Sequence, residues 1–139
     1  MNRARGLIVD DAPENIRILM AYLKNSCSVQ AATSGAKALE FARAEPKPDL
    51  ILLDVVMPGM NGYEVCRLLK EDPHTRSIPI IFVTGLNDVG DEERGLRLGA
   101  VDYISKPFHA ELVRARVHNH LELKQHRAFL EEEVERRTQ

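Results

Sequence analysis

Three carboxylates, one hydroxyl and one ammonium stand at the ends of apolar runs in this chain. Asp10 and Asp11 close Leu7-Ile8-Val9, and Asp54 closes Leu50-Ile51-Leu52-Leu53. Thr84 ends Ile80-Ile81-Phe82-Val83, and Lys106 follows Val101-Asp102-Tyr103-Ile104-Ser105. Together these groups could hold a divalent metal and a phosphoryl group. Mg2+ favours octahedral oxygen coordination, keeps several waters, and is held by one or two carboxylates plus phosphate oxygens. Asp10, Asp11 and Asp54 match that demand. Crowded carboxylates raise one another's pKa, and a bound metal removes that repulsion while balancing phosphoryl charge. A carboxylate can also be the nucleophile, since carboxylates form acyl phosphates, and the residue types alone leave open which one. Thr84 can donate its hydroxyl to a phosphoryl oxygen, and Lys106 can offer a compact positive charge to another.

Positioning these groups requires elements that end at one place. Five apolar runs predict strands near 6–10, 28–32, 49–53, 79–84 and 101–105, rich in Ile, Leu and Val with little alternation, as in strands covered on both faces. Between them, Ile16, Leu19, Met20 and Leu23 recur at helical spacing, as do Ala38, Leu39 and Ala42, then Val65, Leu68 and Leu69, and then Leu96 with its neighbours. Pro13 suits the first turn of helix one. Ser34 is placed to cap helix two. Pro46 and Pro48 end that helix, while Gly95 and Gly99 weaken and then stop the fourth. Strands alternating with helices predict a doubly wound α/β fold with a parallel sheet and right-handed crossovers. In such a sheet ligands bind beyond the carboxyl ends of the strands, which is where all five polar groups fall.

Size and composition bound the rest. At 139 residues the chain can build one proper core, with room for a short appendage. Hydrophobic residues make up 44% and charged residues 29%, and the net charge of −2 gives no reason to expect nucleic acid or an anionic membrane as partner. No apolar run approaches the roughly 20 residues that span a bilayer, and the opening run is too short for a signal-peptide core. A cytoplasmic domain is expected. Cys27 and Cys66 make neither a disulfide framework nor a metal knuckle and read as reduced, space-filling thiols. His118 and His120 point to different helix faces and read as surface residues, with no cluster to complete a zinc site.

The pattern resembles the receiver domain of two-component response regulators over roughly residues 4–122. The matching residues are Asp10-Asp11, then Asp54 within Leu52-Leu53-Asp54-Val55-Val56-Met57-Pro58-Gly59-Met60-Asn61-Gly62, then Thr84, then Lys106-Pro107-Phe108. Each motif alone is weak, but five positions in order, each at a strand end, are specific. The resemblance implies a flavodoxin-like five-stranded sheet of order 2-1-3-4-5. It implies that Asp54 takes a phosphoryl group from a sensor histidine kinase or phosphotransfer protein. Asp11 and Asp54, with the backbone carbonyl of Val56, would ligate Mg2+, and Asp10 would orient the metal shell. Thr84 and Lys106 would bind phosphoryl oxygens, and Lys106-Pro107 would be cis. Gly85 would leave room for the phosphoryl group. Thr84 and Tyr103 would form the switch that alters the face of helix four, strand five and helix five. Helix one, with Ile16 and Met20, would dock the kinase. Val56 and Leu86, apolar where the family tunes hydrolysis of the acyl phosphate, imply a long-lived phosphoryl state. Asn61, where the family often has Asp, is expected to leave the chemistry unaffected.

Other readings fit less well. A haloacid-dehalogenase-like phosphatase needs an Asp two residues after its nucleophile, and that place holds Val56. A nucleotide-binding module would carry a glycine-rich phosphate loop, and none follows a strand. A degenerate receiver would have lost Asp54 or Lys106.

The chain therefore divides into a receiver domain at 1–122 and a helical extension at 123–139. From 109 to 137 there is no Pro or Gly, which predicts a helix of about 28 residues, over twice the mean length. A trial heptad sets Val113, His120, Arg127 and Val134 on one position and Arg116, Leu123, Leu130 and Arg137 on the other. Half are apolar, a weak coiled-coil signal. The extension reads as either a fraying terminal helix or a linker, and a homodimer through it or through the helix-four face is expected under the second reading. The chain stops mid-helix at Gln139 without a cap, so a missing output domain is expected. The linker resembles those leading to a cyclic di-GMP enzyme, a phosphodiesterase of the HD-GYP type or a diguanylate cyclase, with DNA-binding and single-domain alternatives open.

Overall fold

The apolar runs become parallel strands in the computed structural model, which describes residues 3–85 and 89–138, the side chains of 89–92 and 135–138 apart. In chain order the elements are β1 (Arg5–Val9), α1 (Pro13–Leu23), β2 (Ser28–Ala32), α2 (Gly35–Arg43), β3 (Leu50–Asp54), α3 (Gly62–Glu71), β4 (Ile80–Thr84), α4 (Val89–Arg97), β5 (Asp102–Ser105) and α5 (Ala110–Thr138). The sheet order is β2-β1-β3-β4-β5, as the resemblance implied. Expected strand limits differ from the observed ones by a residue at most ends.

Side chains alternate across the sheet and build two cores. Leu7, Val9, Ile51, Leu53, Ile80 and Phe82 face α2 and α3, where they meet Ala38, Leu39, Val65 and Leu69. Ile8, Leu50, Leu52, Ile81, Val83 and Ile104 face the other way, onto Ile16, Leu19 and Leu23 of α1 and Val113, Val117 and Leu121 of α5. Each such side chain, fully buried, contributes about 1.5–3 kcal/mol. β3 and β4 are buried along their whole length. The edge strands β2 and β5 are only partly covered, so the expectation of cover on both faces holds for the centre of the sheet and fails at its edges.

Three local expectations change. Leu96 is 47% exposed, because the core-facing place on α4 is taken by Gly95, where an added Cβ would lie 2.7 Å from the Phe82 ring. Val101 is 39% exposed and precedes β5 rather than opening it. Ile16 is buried, so it belongs to the core and not to a docking surface, while Ile18 on the same helix is exposed. Leu86 lies outside the described residues.

Capping follows the sequence. Pro13 opens α1, and the Ser34 hydroxyl accepts from the Lys37 amide at the start of α2. α5 is one continuous helix of 29 residues, and Leu121 is its last buried residue among those described. Beyond it Leu123, Phe129, Leu130 and Val134 are exposed.

Candidate functional site

Parallel register carries the polar groups to one edge. Val9 is level with Leu53, Asp54 with Val83, and Thr84 with Ser105, so the residues that end or follow β1, β3, β4 and β5 surround one place. Backbone bonds extend the ladder past the strands: Asp10 donates to Ala32, Val55 to Val83, and Lys106 to Thr84 at 2.8 Å. The functional side chains therefore stand on the rigid rim of the sheet.

One carboxylate oxygen each from Asp10, Asp11 and Asp54 lies within 4.8 Å of the others. Asp10 and Asp54 are buried, at 1% and 3% exposure, and Asp11 is exposed. Asp10 has two separate jobs. Its Oδ1 accepts from the Ala12 amide at 2.9 Å, which serves the start of α1, where the capping residue Ala12 has no side-chain acceptor. Its Oδ2 is buried without a hydrogen-bond partner, and Lys106 Nζ lies 4.0 Å away. Asp54 Oδ1 accepts from Lys106 Nζ at 3.5 Å and from the Val56 amide at 3.4 Å.

The electrostatics are unfavourable to a bare cluster. Burial, and then the charge of Asp10, raise the Asp54 carboxyl from 3.8 to about 6, against the opposing pull of Lys106 and the Val56 amide. One ammonium faces two buried carboxylates, with a third at the rim. A buried oxygen without a hydrogen-bond partner and a surplus of hard oxygen donors fit a divalent cation that takes oxygen ligands.

Thr84 closes β4 and is buried. It also borders a narrow crevice with Val55, Tyr63, Phe82, Gly95 and Tyr103. Tyr103 is partly buried against this core, and the Arg116 guanidinium lies 5.4 Å from its ring centre. The crevice thus joins the Thr84 end of the site to α4 and β5. Lys106-Pro107 is cis, and so is Glu45-Pro46, which the sequence reading did not anticipate. Among the described residues, a Cβ at Gly85 would meet only Lys106 Cδ, at 3.8 Å.

Two residues near the site play parts that sequence reasoning missed. A Cβ on Gly62 would lie 2.2 Å from the Asp54 carbonyl oxygen. That glycine lets the start of α3 close on β3, with its amide bonded to Val55 at 2.9 Å. Asn61 caps α3, its side chain accepting from the Glu64 amide; the Asn-x-x-Glu spacing carries the signal for this. His120 also departs from expectation. It is mostly covered and bonds Asp102 Oδ2 at 3.1 Å, whereas His118 is exposed and pairs with Glu122 along the helix. Cys27 and Cys66 are free and buried, as expected.

A rim of strand-end carboxylates with a lysine and a threonine, on this sheet order, fits a phosphorylation-dependent signalling switch. The chain matches the response regulator receiver domain over residues 7–118 and belongs to that family. It is 46% identical to a protein of Vibrio cholerae serotype O1 named "Probable cyclic di-GMP phosphodiesterase", in a match that covers 95% of this chain and 31% of that protein. It is 48% identical to the response regulator PleD of Caulobacter vibrioides, over 82% of this chain and 25% of the relative. The chain thus spans between a quarter and a third of these two relatives. Among solved structures, the signal receiver domain of a signal transduction histidine kinase from Syntrophus aciditrophicus superposes with a TM-score of 0.77 at 37% identity, covering 86% of this chain and 90% of that one. No helix among the described residues is long and apolar enough to cross a membrane.

Proposed function

We propose that Asp54 is the phosphoacceptor. One carboxylate oxygen of Asp54 attacks phosphorus on the phosphohistidine of a kinase or phosphotransfer protein. The phosphorus–nitrogen bond breaks, the histidine nitrogen leaves with the electron pair, and an acyl phosphate remains on Asp54. Lys106 steadies one phosphoryl oxygen by charge, and the Thr84 hydroxyl donates to another. Asp10, Asp11 and Asp54, with the backbone carbonyl of Val56, would hold Mg2+. When bound, Mg2+ supplies the positive charge that offsets carboxylate repulsion and phosphoryl charge. The observation that carries this reading is the junction of Asp54 Oδ1 with Lys106 Nζ at 3.5 Å, beside the buried Asp10 Oδ2, which has no hydrogen-bond partner.

Intact mass after incubation with acetyl phosphate tests it. One phosphoryl adduct is expected with Mg2+, none with EDTA, and none in Asp54→Asn. An adduct that survives Asp54→Asn sinks the assignment. Val56 is 65% exposed, and its apolar side chain cannot orient a water at the acyl phosphate. Val56→Asn is expected to shorten the adduct's lifetime several-fold; equal lifetimes would remove Val56 from the account.

Phosphorylation would draw Thr84 toward the site and turn Tyr103 inward, changing the face of α4, β5 and α5. Residues 1–122 act as the receiver and 123–139 as the linker to an output. A cyclic di-GMP enzyme is the favoured output, because the match to the Vibrio cholerae relative covers 95% of this chain and so takes in much of the linker. Self-association runs through this face or through the exposed Leu123, Leu130 and Val134. Val113 of the same heptad is buried at 0% in the domain core, so any seam between helices starts at about Leu123. Light scattering with and without beryllofluoride reads this: a shift toward dimer is expected, and an unchanged mass would end the dimer proposal. The working place is the cytoplasm, with neither membrane nor nucleic acid bound by this segment.

A further inference from the structure

The end of the sheet opposite the carboxylates gathers charge of the other sign. A cavity of about 430 Å³ opens there between the end of α3, the segment leading to β4, the turn before β5, and α5. Lys70, Arg76, His120, Lys124 and Arg127 border it. Two of these have acidic partners: Lys124 Nζ lies 2.8 Å from Asp49 Oδ1, and His120 bonds Asp102. Lys70, Arg76 and Arg127 have no ion pair among the described residues. Glu71, next to Lys70 in sequence, is turned to Arg67 instead.

Lys70 is held in place rather than waving in solvent. Its ammonium donates to the Arg76 and Ile78 carbonyls, each at 3.0 Å, which leaves one of its three N–H groups for something else. Its stem runs beside Gly99, where a Cβ would lie 3.2 Å from Lys70 Cγ. Burial lowers the Lys70 pKa, Cys66 opposes this, and the charge of Arg127 adds to the lowering. Three cations from separate segments thus border one concavity that no carboxylate lines; Arg76 and Arg127 are exposed, so water screens part of their repulsion, and an anion entering between them would offset what is left.

We propose that this cavity binds a small phosphate-bearing polyanion of about nucleotide size, held by Lys70, Arg76 and Arg127. Two guanidinium forks and a fixed ammonium suit phosphate oxygens better than a single carboxylate. The volume lies in the range of small-molecule sites, and Pro79, Val101 and Leu123 give it an apolar side for an organic group. Arg127 lies beyond Leu121 on the projecting part of α5, whereas Lys70 and Arg76 belong to the body of the domain. A bound polyanion therefore ties the projecting helix to the body, at the far end of the sheet from Asp54. This site is independent of the phosphoacceptor assignment.

Calorimetric titration of the 139-residue chain with pyrophosphate, in EDTA and about 0.15 M salt so that weak surface attraction is screened, reads the site directly. Saturable one-to-one binding is expected. Arg127→Gln and Arg76→Gln should each weaken it about tenfold, the loss of one charge-assisted contact, while Lys106→Ala leaves it unchanged. ATP in place of pyrophosphate should bind at least as tightly, because the apolar side gains a partner. Arg127 is exposed, so its replacement leaves the fold intact, which circular dichroism verifies. Absence of saturation overturns the proposal. So does equal affinity in Arg127→Gln, or loss of binding in Lys106→Ala, which would put the anion at the carboxylate edge. ATP binding weaker than pyrophosphate would count against the apolar side and hence against a nucleotide-sized ligand.

Discussion

The two ends of one sheet treat their aspartates in opposite ways. At the carboxyl end Asp10 and Asp54 are buried together, and Lys106 is the cation between them. At the amino end each aspartate has its own partners. Asp49 accepts from the Arg5 amide and Lys124, and Asp102 accepts from Arg116 and pairs with His120. The same side chain is thus a source of repulsion at one end and a tie at the other. What differs is burial and the supply of donors. A site that must attract a cation keeps unspent acceptors, and a joint that must hold a helix uses them up.

This contrast predicts opposite signs for the same kind of substitution. The largest effect is expected where backbone approaches backbone, at Gly62. Gly62→Ala pushes a Cβ against the Asp54 carbonyl, at 2.2 Å in the present geometry, and should cost about 3 kcal/mol. Denaturant melts would show it, and a loss below about 1 kcal/mol would mean that the β3–α3 junction yields easily.

Next comes Asp54→Asn in the metal-free protein. The folded-state pKa of Asp54, about 6, lies above its ordinary 3.8. The folded form therefore holds this proton more tightly than the unfolded form, and stability from this group falls as pH rises from about 4 through about 6. Asp54→Asn should flatten that slope and stabilise the protein at pH 7 by on the order of 2–3 kcal/mol. Mg2+ should then raise the melting temperature of the parent more than that of the variant. A variant less stable than the parent in EDTA at pH 7 would reverse the contrast. Asp102→Asn has the smaller effect and the other sign, a loss of about 1 kcal/mol, because Arg116 and His120 lose a partner that is itself a quarter exposed. If Asp102→Asn stabilised the protein, the two ends would not differ in kind.

Most of the site was legible because a parallel sheet converts distance along the chain into proximity. Asp10, Asp54, Thr84 and Lys106 each end or follow an apolar run, and all strands run the same way, so their order alone brings them together. The phase of a helix with few apolar residues was harder to read. Leu96 is the sort of residue a periodic pattern assigns to the core, yet Gly95 takes that place because Phe82 leaves no room for a Cβ. His120 read as surface because its partner, Asp102, lies on β5 and not on its own helix. Gly62 was in plain view, but its role depends on how closely α3 approaches the Asp54 carbonyl, a distance no spacing encodes. Asn61 is the exception, since its capping pattern with Glu64 was written in the sequence.

The length of α5 has a mechanical consequence. From Leu121, the last buried residue among those described, the helix continues to Thr138, a span of roughly 25 Å at 1.5 Å per residue. A helix of that reach, if it holds its form, would act as a pointer anchored where Asp102 meets Arg116 and His120. A tilt of about 10° at its base would move the far end by about 4 Å, roughly three-quarters of the height of one helical turn. Adjustments at β5 too small to disturb the core would thereby be magnified into a displacement at the far end.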